Sequence, residues 1–452
     1  MSDSIMYYST NKKAPRVAFD EALINGQAPD GGLYMPERIP KLSTETIRSF
    51  KDMEFFEIAY HIGKSFLGEL IDDDSLKTIT RDAYNFTVPI ENVYERKYIL
   101  RLDRGPTASF KDFAARMMAR LMQYFITKTE RKLLILVATS GDTGSAIANA
   151  FYGLDNIEVA VLFPENEVSE RQRKQMTTLQ KNITILALDG KFDDCQKLVK
   201  QAFSDPELDY LDLSSANSIN FGRILPQTIY YFYSYAKLAK ANEKVIISIP
   251  SGNFGNMMGA IIASRMGLPV ERFIIATNEN DEFPKFLESG DYHKIEPSRN
   301  CLSSAMNVGH PSNLARLVDL FDGHLDTSGE LNKIPDMEKL QRLIYSISID
   351  DTETRQTIIE AYKQCEIVLE PHGSVGWAGL RNYLKDNGND SEKLYISVET
   401  AHPAKFPEQI IELLGIDPEL PPALQGLEEK PEFFDKMGIT YEQFKEYLIN
   451  NY

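Results

Sequence analysis

Leu133-Leu-Ile-Leu-Val-Ala-Thr-Ser-Gly-Asp-Thr-Gly-Ser145 runs from an unbroken apolar stretch into a glycine-bearing turn and then into small helix-forming residues. Six apolar residues without polar alternation predict a strand covered on both faces. The pattern recurs in Val245-Ile-Ile-Ser-Ile-Pro-Ser-Gly-Asn-Phe-Gly-Asn256. Around these two junctions, β-rich runs at Tyr98 to Leu102, Ile157 to Phe163, Ile183 to Leu188, Phe273 to Ala276 and Leu394 to Val398 alternate with amphipathic helical stretches. Strand, helix, strand in regular succession predicts an α/β fold with parallel sheets.

The residues before this alternation read differently. Helical patterns at Val17 to Ile24, Glu54 to Leu67 and Asp73 to Tyr84 are broken by the turn-rich Ala28-Pro-Asp-Gly-Gly32, which predicts a mostly helical amino-terminal domain over residues 1–95. Two α/β domains are expected to follow, over 96–240 and 241–452, joined by a long helix from Phe221 to Lys240. The proline-rich and acidic Pro418 to Pro431 reads as a surface connection.

Composition narrows the function. The 452 residues are 43% hydrophobic and 25% charged, ordinary values for a globular protein. With 49 Lys plus Arg against 66 Asp plus Glu, the net charge of -17 opposes adhesion to nucleic acid or to an anionic membrane. An anionic small molecule would have to be held by local donors and cations. Cys195, Cys301 and Cys365 are odd in number and widely spaced, so they suggest neither a disulfide framework nor a zinc site. Met1 to Thr10 lacks a secretory pattern, no stretch reaches membrane-spanning length, and a cytoplasmic location is expected.

At each glycine-bearing junction, exposed backbone N–H groups and the positive helix end suit a phosphate or carboxylate, although either loop alone reads equally well as a tight turn. Neither matches a P-loop or a GxGxxG fingerprint, which disfavours an NTPase or a dehydrogenase. Asp142-Thr-Gly144 together with Asp326-Thr-Ser328 offers the paired aspartates of an aspartic protease, but Asp142 follows an apolar strand and opens a helix, which is foreign to a largely β enzyme. In Gly105-Pro-Thr-Ala-Ser-Phe-Lys-Asp-Phe113, Lys111 opens a helix whose Phe113, Met117, Leu121 and Phe125 form a core-facing stripe. A lysine between Phe110 and Phe113 is expected to be partly desolvated, which lowers its proton affinity and favours Schiff-base formation with an aldehyde.

Together these segments resemble the threonine synthases, pyridoxal-phosphate enzymes of fold type II (tryptophan synthase β-like), over most of the chain. The resemblance rests on Gly105 to Phe113, Ala138 to Ala146, Asn217-Ser-Ile-Asn-Phe-Gly-Arg223, Ser251 to Asn256, Glu370-Pro-His-Gly373 and Glu399-Thr-Ala-His-Pro-Ala-Lys-Phe406. Tyr7 to Thr10 and Asp30 to Pro36 are similar to the longer branch of that family, in which a helical segment precedes the catalytic domains.

The resemblance implies that Lys111 holds pyridoxal 5'-phosphate covalently and later moves protons. Gly252, Asn253, Phe254, Gly255 and Asn256 would hold the cofactor phosphate, and Thr400 would face the pyridine nitrogen with a neutral hydroxyl. Ser140, Gly141, Asp142 and Thr143 would receive the substrate carboxylate. Asn217, Ser218, Asn220 and Arg223 would form the substrate-phosphate pocket. Where many relatives have asparagine this chain has Asp142, which lacks amide donors; the resemblance leaves two roles for it, contact with the cofactor or orientation of the loop alone. Arg104-Gly-Pro-Thr-Ala-Ser replaces the commoner His-Gly-Pro-Thr-Leu-Ala.

The implied reaction turns O-phospho-L-homoserine and water into L-threonine and phosphate by γ-elimination and hydration at Cβ. The Asn217 to Arg223 segment argues against a dehydratase or a β-replacement synthase, and an intact Lys111 argues against a non-catalytic cofactor carrier. His372 and His402 are expected to be structural. His61, His293, His310 and His324 lack metal-ligand spacing, so no catalytic metal is expected. A monomer or homodimer acting on a small molecule is the implied working form.

Overall fold

The computed structural model describes residues 4–129 and 131–452, so Met1 to Asp3 of the expected amino-terminal domain lie outside the described residues. The amino-terminal segment forms helices Phe19–Asn25, Thr44–Ser49, Phe55–Leu67 and Asp73–Ala83, and pairs β1 (Tyr7–Ser9) antiparallel with β2 (Tyr34–Pro36). Helix 55–67 begins with a reciprocal capping box between Glu54 and Glu57, and helix 73–83 begins on Asp72, whose Oδ1 accepts from Ser75 N at 2.9 Å.

The strands that follow are β3 (Ile90–Tyr94), β4 (Lys97–Arg101), β5 (Leu133–Ala138), β6 (Ile157–Pro164), β7 (Ile183–Leu188), β8 (Leu213–Ser214), β9 (Val245–Pro250) and β10 (Val270–Thr277). After them come the hairpin strands β11 (His324–Leu325) and β12 (Leu331–Lys333), then β13 (Ile344–Ser348), β14 (Leu394–Glu399) and β15 (Asp435–Met437). Among the described residues the larger sheet has the order β13-β10-β9-β14-β4-β3 and the smaller β15-β7-β6-β5-β8. Every pairing in these two sheets is parallel except β3 with β4. All six residues of β5, β9 and β14 are buried, as expected of strands with helices on both faces.

The sheets do not follow the expected division of the chain. The strand expected in the 96–240 domain, β4, hydrogen-bonds to β14 in the larger sheet, while β15, far into the 241–452 stretch, completes the smaller one beside β7. The expected long helix from Phe221 to Lys240 is instead Phe221–Ile224, a 3-10 turn Leu225–Thr228 and Ile229–Leu238. Pro226 lacks the N–H that an unbroken helix would use there. The stretch from Pro418 to Pro431 is more than a surface connection, since Leu424 is buried against Ala108 and Ala404.

The amino-terminal segment buttresses the helix Lys111–Ile126. The rings of Phe55, Tyr84 and Phe86 surround Phe113 with centroids 5.3, 6.1 and 5.1 Å away, and Tyr84 donates its hydroxyl to the Phe113 carbonyl at 2.9 Å. At about 0.5–1.5 kcal/mol for each aromatic pair beyond area burial, this cluster fixes the helix start to which Lys111 belongs. Phe113, Met117, Leu121 and Phe125 are all buried, as the stripe predicts.

Candidate active site

Parallel strands send their carboxyl ends to one edge of a sheet, and ligands of open α/β sheets collect there. In the larger sheet three neighbours, β4, β14 and β9, are followed at that edge by the three loops the sequence singles out. These are Leu102 to Phe110 leading to Lys111, Thr400 to Phe406, and Ser251 to Phe254. Two backbone bonds clasp the first two loops together: Phe110 N donates to Thr400 O at 2.8 Å, and His402 N to Ala108 O at 3.0 Å.

Lys111 is the first residue of its helix and its side chain is only 15% exposed. The ammonium lies 4.8 Å from the centroid of Phe110 and 3.5 Å from Asp142 Oδ2. Burial pushes its proton affinity down; Asp142 opposes that shift, and the positive charges of Lys405 and Arg223 reinforce it. The expected desolvated lysine is therefore present, although Phe113 belongs to the core cluster and only Phe110 faces the amine.

Asp142 opens helix Asp142–Phe151, immediately after Gly141 at φ 129°, a backbone shape suited to glycine. Its Oδ1 pairs with Lys405 Nζ at 2.6 Å and accepts from Gln172 Nε2 at 2.9 Å. Burial opposes its charge, but two lysines win, and the carboxyl is held far below its ordinary value. Lys405 is fully buried and also donates to Thr107 O at 3.0 Å. In the sequence Lys405 stands within the Glu399 to Phe406 motif with no role of its own, because only the fold brings it to Asp142. Ser140 stands exposed beside this network and Thr143 is half-buried.

The glycine loop after β9 leads into helix Gly255–Met266. Phe254 precedes it in the left-handed region at φ 62°, held by its ring against Phe283 at 4.9 Å, and its side chain caps no helix amide. Asn256 Oδ1 accepts from Tyr230 and Tyr231, each at 2.5 Å, while its buried Nδ2 has no partner among the described residues. Asn313 ties this loop to the next: its Nδ2 donates to Asn253 O at 2.9 Å and to Ser218 O at 3.2 Å. Arg316, fully buried, adds a bond from Nη1 to Ser218 O at 3.2 Å. Neither Asn313 nor Arg316 stands in a quoted motif, and nothing in their local sequence marks them.

Arg223 is buried in the short helix after this second loop and donates to Ala216 O at 2.6 Å. Its Nε has no partner, and neither has Asn217 Oδ1, among the described residues. Burial pushes the guanidinium down to about 10, against the opposing influence of Asp112 and Tyr230. Asn220 is different. Its amide donates to Leu23 O and Ser215 O at 2.8 and 3.0 Å, and its Oδ1 accepts from Gly222 N at 2.8 Å. The side chain is a helix cap committed to protein groups.

Thr400 donates its hydroxyl to Glu370 Oε1 at 3.1 Å. Glu370 caps helix Pro371–Asn387 by accepting from His372 N and Gly373 N at 2.7 and 2.8 Å. His372 Nε2 accepts from Ala305 N at 2.9 Å, so its Nδ1 carries the proton given to Glu370 at 2.5 Å. Glu399 Oε1 accepts from Glu370 N at 2.9 Å, and burial, with Glu370 beside it, pushes the Glu399 carboxyl far up. His402 accepts from Ala404 N at 3.2 Å, and burial pushes it down to about 4. Both histidines are thus engaged with the protein itself. Asp326, the other aspartate of the protease alternative, accepts from Ser328 N and Glu330 N within the β11–β12 hairpin.

Residues 6–84 match "Threonine synthase N terminus", residues 90–398 "Pyridoxal-phosphate dependent enzyme", and residues 374–448 "Threonine synthase, C-terminal". The threonine synthase of Haemophilus influenzae is 38% identical over 450 residues, covering 98% of this chain and 99% of the relative. The chain belongs to the threonine synthase family. Among solved structures, the PLP-bound threonine synthase from Brucella melitensis is similar at TM-score 0.92 and 34% identity, with 99% of both chains covered. The threonine synthase from Escherichia coli follows at 0.88 and 35%, covering 99% of this chain and 100% of that one.

The cofactor of the threonine synthase family, pyridoxal phosphate, suits the residues present. A largely buried lysine of lowered proton affinity is ready for an aldehyde. The uncapped start of helix Gly255–Met266, with the orphaned amide of Asn256 in its first turn, is ready for a phosphate.

Proposed function

We propose that Lys111, Asp142, Thr400, the Gly252 to Asn256 loop and Arg223 are the working residues of a threonine synthase. The enzyme is a pyridoxal-phosphate-dependent lyase that converts O-phospho-L-homoserine and water to L-threonine and phosphate. The observation that carries the residue assignment is the buried Lys111 amine 3.5 Å from Asp142, on the sheet edge that also bears the glycine loop and Thr400.

When bound, the cofactor supplies an electron sink that stabilises carbanionic charge next to the amino-acid nitrogen. The chain's own residues do the rest. The free amine of Lys111 takes and returns protons at carbon, a task its lowered proton affinity suits. The first amides of helix Gly255–Met266 and Asn256 Nδ2 anchor the cofactor phosphate. Ser140, Gly141 and Thr143 offer backbone and hydroxyl groups to the substrate carboxylate, while Asp142 orients their loop. Arg223 Nε, desolvated and without a partner among the described residues, would bind the substrate phosphate together with Asn217 and Ser218. Asn220 holds that loop in place from behind.

A small-molecule substrate, a cytoplasmic setting and a monomeric or homodimeric form complete this reading. The -17 charge supports the absence of a nucleic-acid partner, and no helix among the described residues is long and apolar enough to cross a membrane. The test is release of threonine and phosphate from O-phosphohomoserine, compared with serine and threonine as substrates, combined with borohydride trapping and peptide mapping. Label on Lys111 and turnover confined to the phosphorylated substrate are expected. Label elsewhere would end the assignment.

A further inference from the structure

Lys405 is a fully buried cation to which the reaction scheme above gives no task. Its ammonium is 2.6 Å from Asp142 Oδ1 and 3.0 Å from Thr107 O, and the opposite oxygen of the same carboxylate faces Lys111 at 3.5 Å. One carboxylate thus stands between two lysines and is held much more closely by the one that does no chemistry. Gln172 secures the arrangement by donating to Oδ1 at 2.9 Å.

We propose that Lys405 is a positioning residue for the reaction: by drawing the Asp142 carboxylate to itself, it limits how strongly Asp142 grips the nitrogen of Lys111. The physical reason is competition for one negative charge. Without Lys405, Asp142 would have Lys111 as its sole cationic partner, and a full ion pair would hold a proton on the nitrogen that must give it up. With Lys405 in place the pair is already neutral, and the added positive charge also repels a proton on Lys111. The directions found in the structure agree, since Asp142 raises and Lys405 lowers the proton affinity of Lys111.

The charged groups around this centre come from several elements. Asp142 faces Lys111 from helix Asp142–Phe151, Arg223 acts on it from its short helix, and Lys405 reaches in from the loop after β14. Lys405 itself also acts on Asp112 and on His402. Of these, only Asp142 touches both lysines.

This inference rests on the assignment of Lys111 as the cofactor lysine, so the experiment separates the two. Holoenzyme is titrated while the visible absorption of the lysine–aldehyde linkage is followed, and borohydride-treated protein is mapped in parallel. In Lys405→Met the midpoint of the linkage should move up by about one pH unit or more, the size expected when an opposite charge a few ångströms away loses its competitor. In the double variant Asp142→Asn, Lys405→Met, the midpoint should return toward the wild-type value. An unmoved midpoint in Lys405→Met, or a midpoint in the double variant as high as in Lys405→Met alone, overturns the proposal. Should Lys405→Met not accumulate, Lys405→Gln, neutral but still able to donate to Asp142, is read against the same outcomes. Label absent from Lys111 overturns both the assignment and the inference; label present with an unmoved midpoint overturns the inference alone.

Discussion

Phe110 donates its backbone N–H to the carbonyl oxygen of Thr400 at 2.8 Å, so the residue before Lys111 hangs from the end of a strand of the larger sheet. This bond involves no side chain, and Thr400 is therefore free to be altered without detaching Lys111. Thr400→Val should keep the fold but leave Glu370 Oε1 with one donor fewer, a cost of about 1–3 kcal/mol. Thermal unfolding should show that modest loss, and the visible spectrum of the holoenzyme should change. An unaltered spectrum would count against Thr400 facing the cofactor.

Arg223 is the residue on which selectivity for the phosphorylated substrate is expected to turn. Charge-assisted bonds are worth about 1.5–3 kcal/mol, so Arg223→Ala should lower kcat/KM for O-phosphohomoserine about 10- to 100-fold. Cofactor occupancy, read by absorbance, should be preserved, because the residues assigned to the cofactor phosphate belong to a different loop. Loss of cofactor in the same variant would show that Arg223 serves the wrong phosphate.

Asn313 joins the glycine loop after β9 to the loop that carries Asn217 and Ser218, through the carbonyls of Asn253 and Ser218. Asn313→Ala leaves both without that donor, and about 1–3 kcal/mol of stability should go with it. Because the loops then move independently, affinity for pyridoxal phosphate, measured by equilibrium dialysis, and the KM for substrate should both worsen.

His402 introduces a pH dependence with a definite sign. Burial depresses it from 6.5 to about 4, so between those values the unfolded chain binds the proton that the folded one refuses. The stability held above pH 6.5 is lost progressively as pH falls toward 4, by up to about 3 kcal/mol at 1.36 kcal/mol per pH unit. His402→Asn should flatten that part of the curve of urea midpoint against pH. Parallel wild-type and variant curves would refute it.

Gly373 is hemmed in by the acidic pair below Thr400: a Cβ there would sit 1.6 Å from Glu399 Oε2. Glu399 is fully buried and tied through Oε1 to Glu370 N at 2.9 Å, so the clash has no inexpensive release. Gly373→Ala should cost about 3 kcal/mol or more and lower the thermal midpoint by several degrees. Calorimetry of the holoenzyme is the direct check.

Much of this was legible in the sequence because it was local. The apolar run at Leu133–Ala138 is a strand over those same residues, since burial on both faces leaves a continuous signal. Lys111 stood out by its loop and its stripe of buried neighbours. What stayed hidden was long-range. Lys405 reaches Asp142 across a separation of more than half the chain, and the donors that clasp the loops, Asn313 and Arg316, are ordinary residues at the start of an unremarkable helix. β15 is three residues long and joins its sheet by pairing with β7, which no local pattern announces. Asn220 shows the same limit: a motif states which residue is present but not whether its hydrogen bonds are already spent.

The threading of the chain between its two sheets bears on how the protein is made. β4 emerges from the ribosome early but finds its parallel neighbour only with β14, and β7 must wait for β15, close to the carboxyl terminus. Neither sheet has its full complement of strands until nearly all of the polypeptide has been synthesised. A nascent chain halted before residue 430 would therefore present an open β-edge to its surroundings, the kind of surface on which newly made proteins are engaged by chaperones or lost to aggregation.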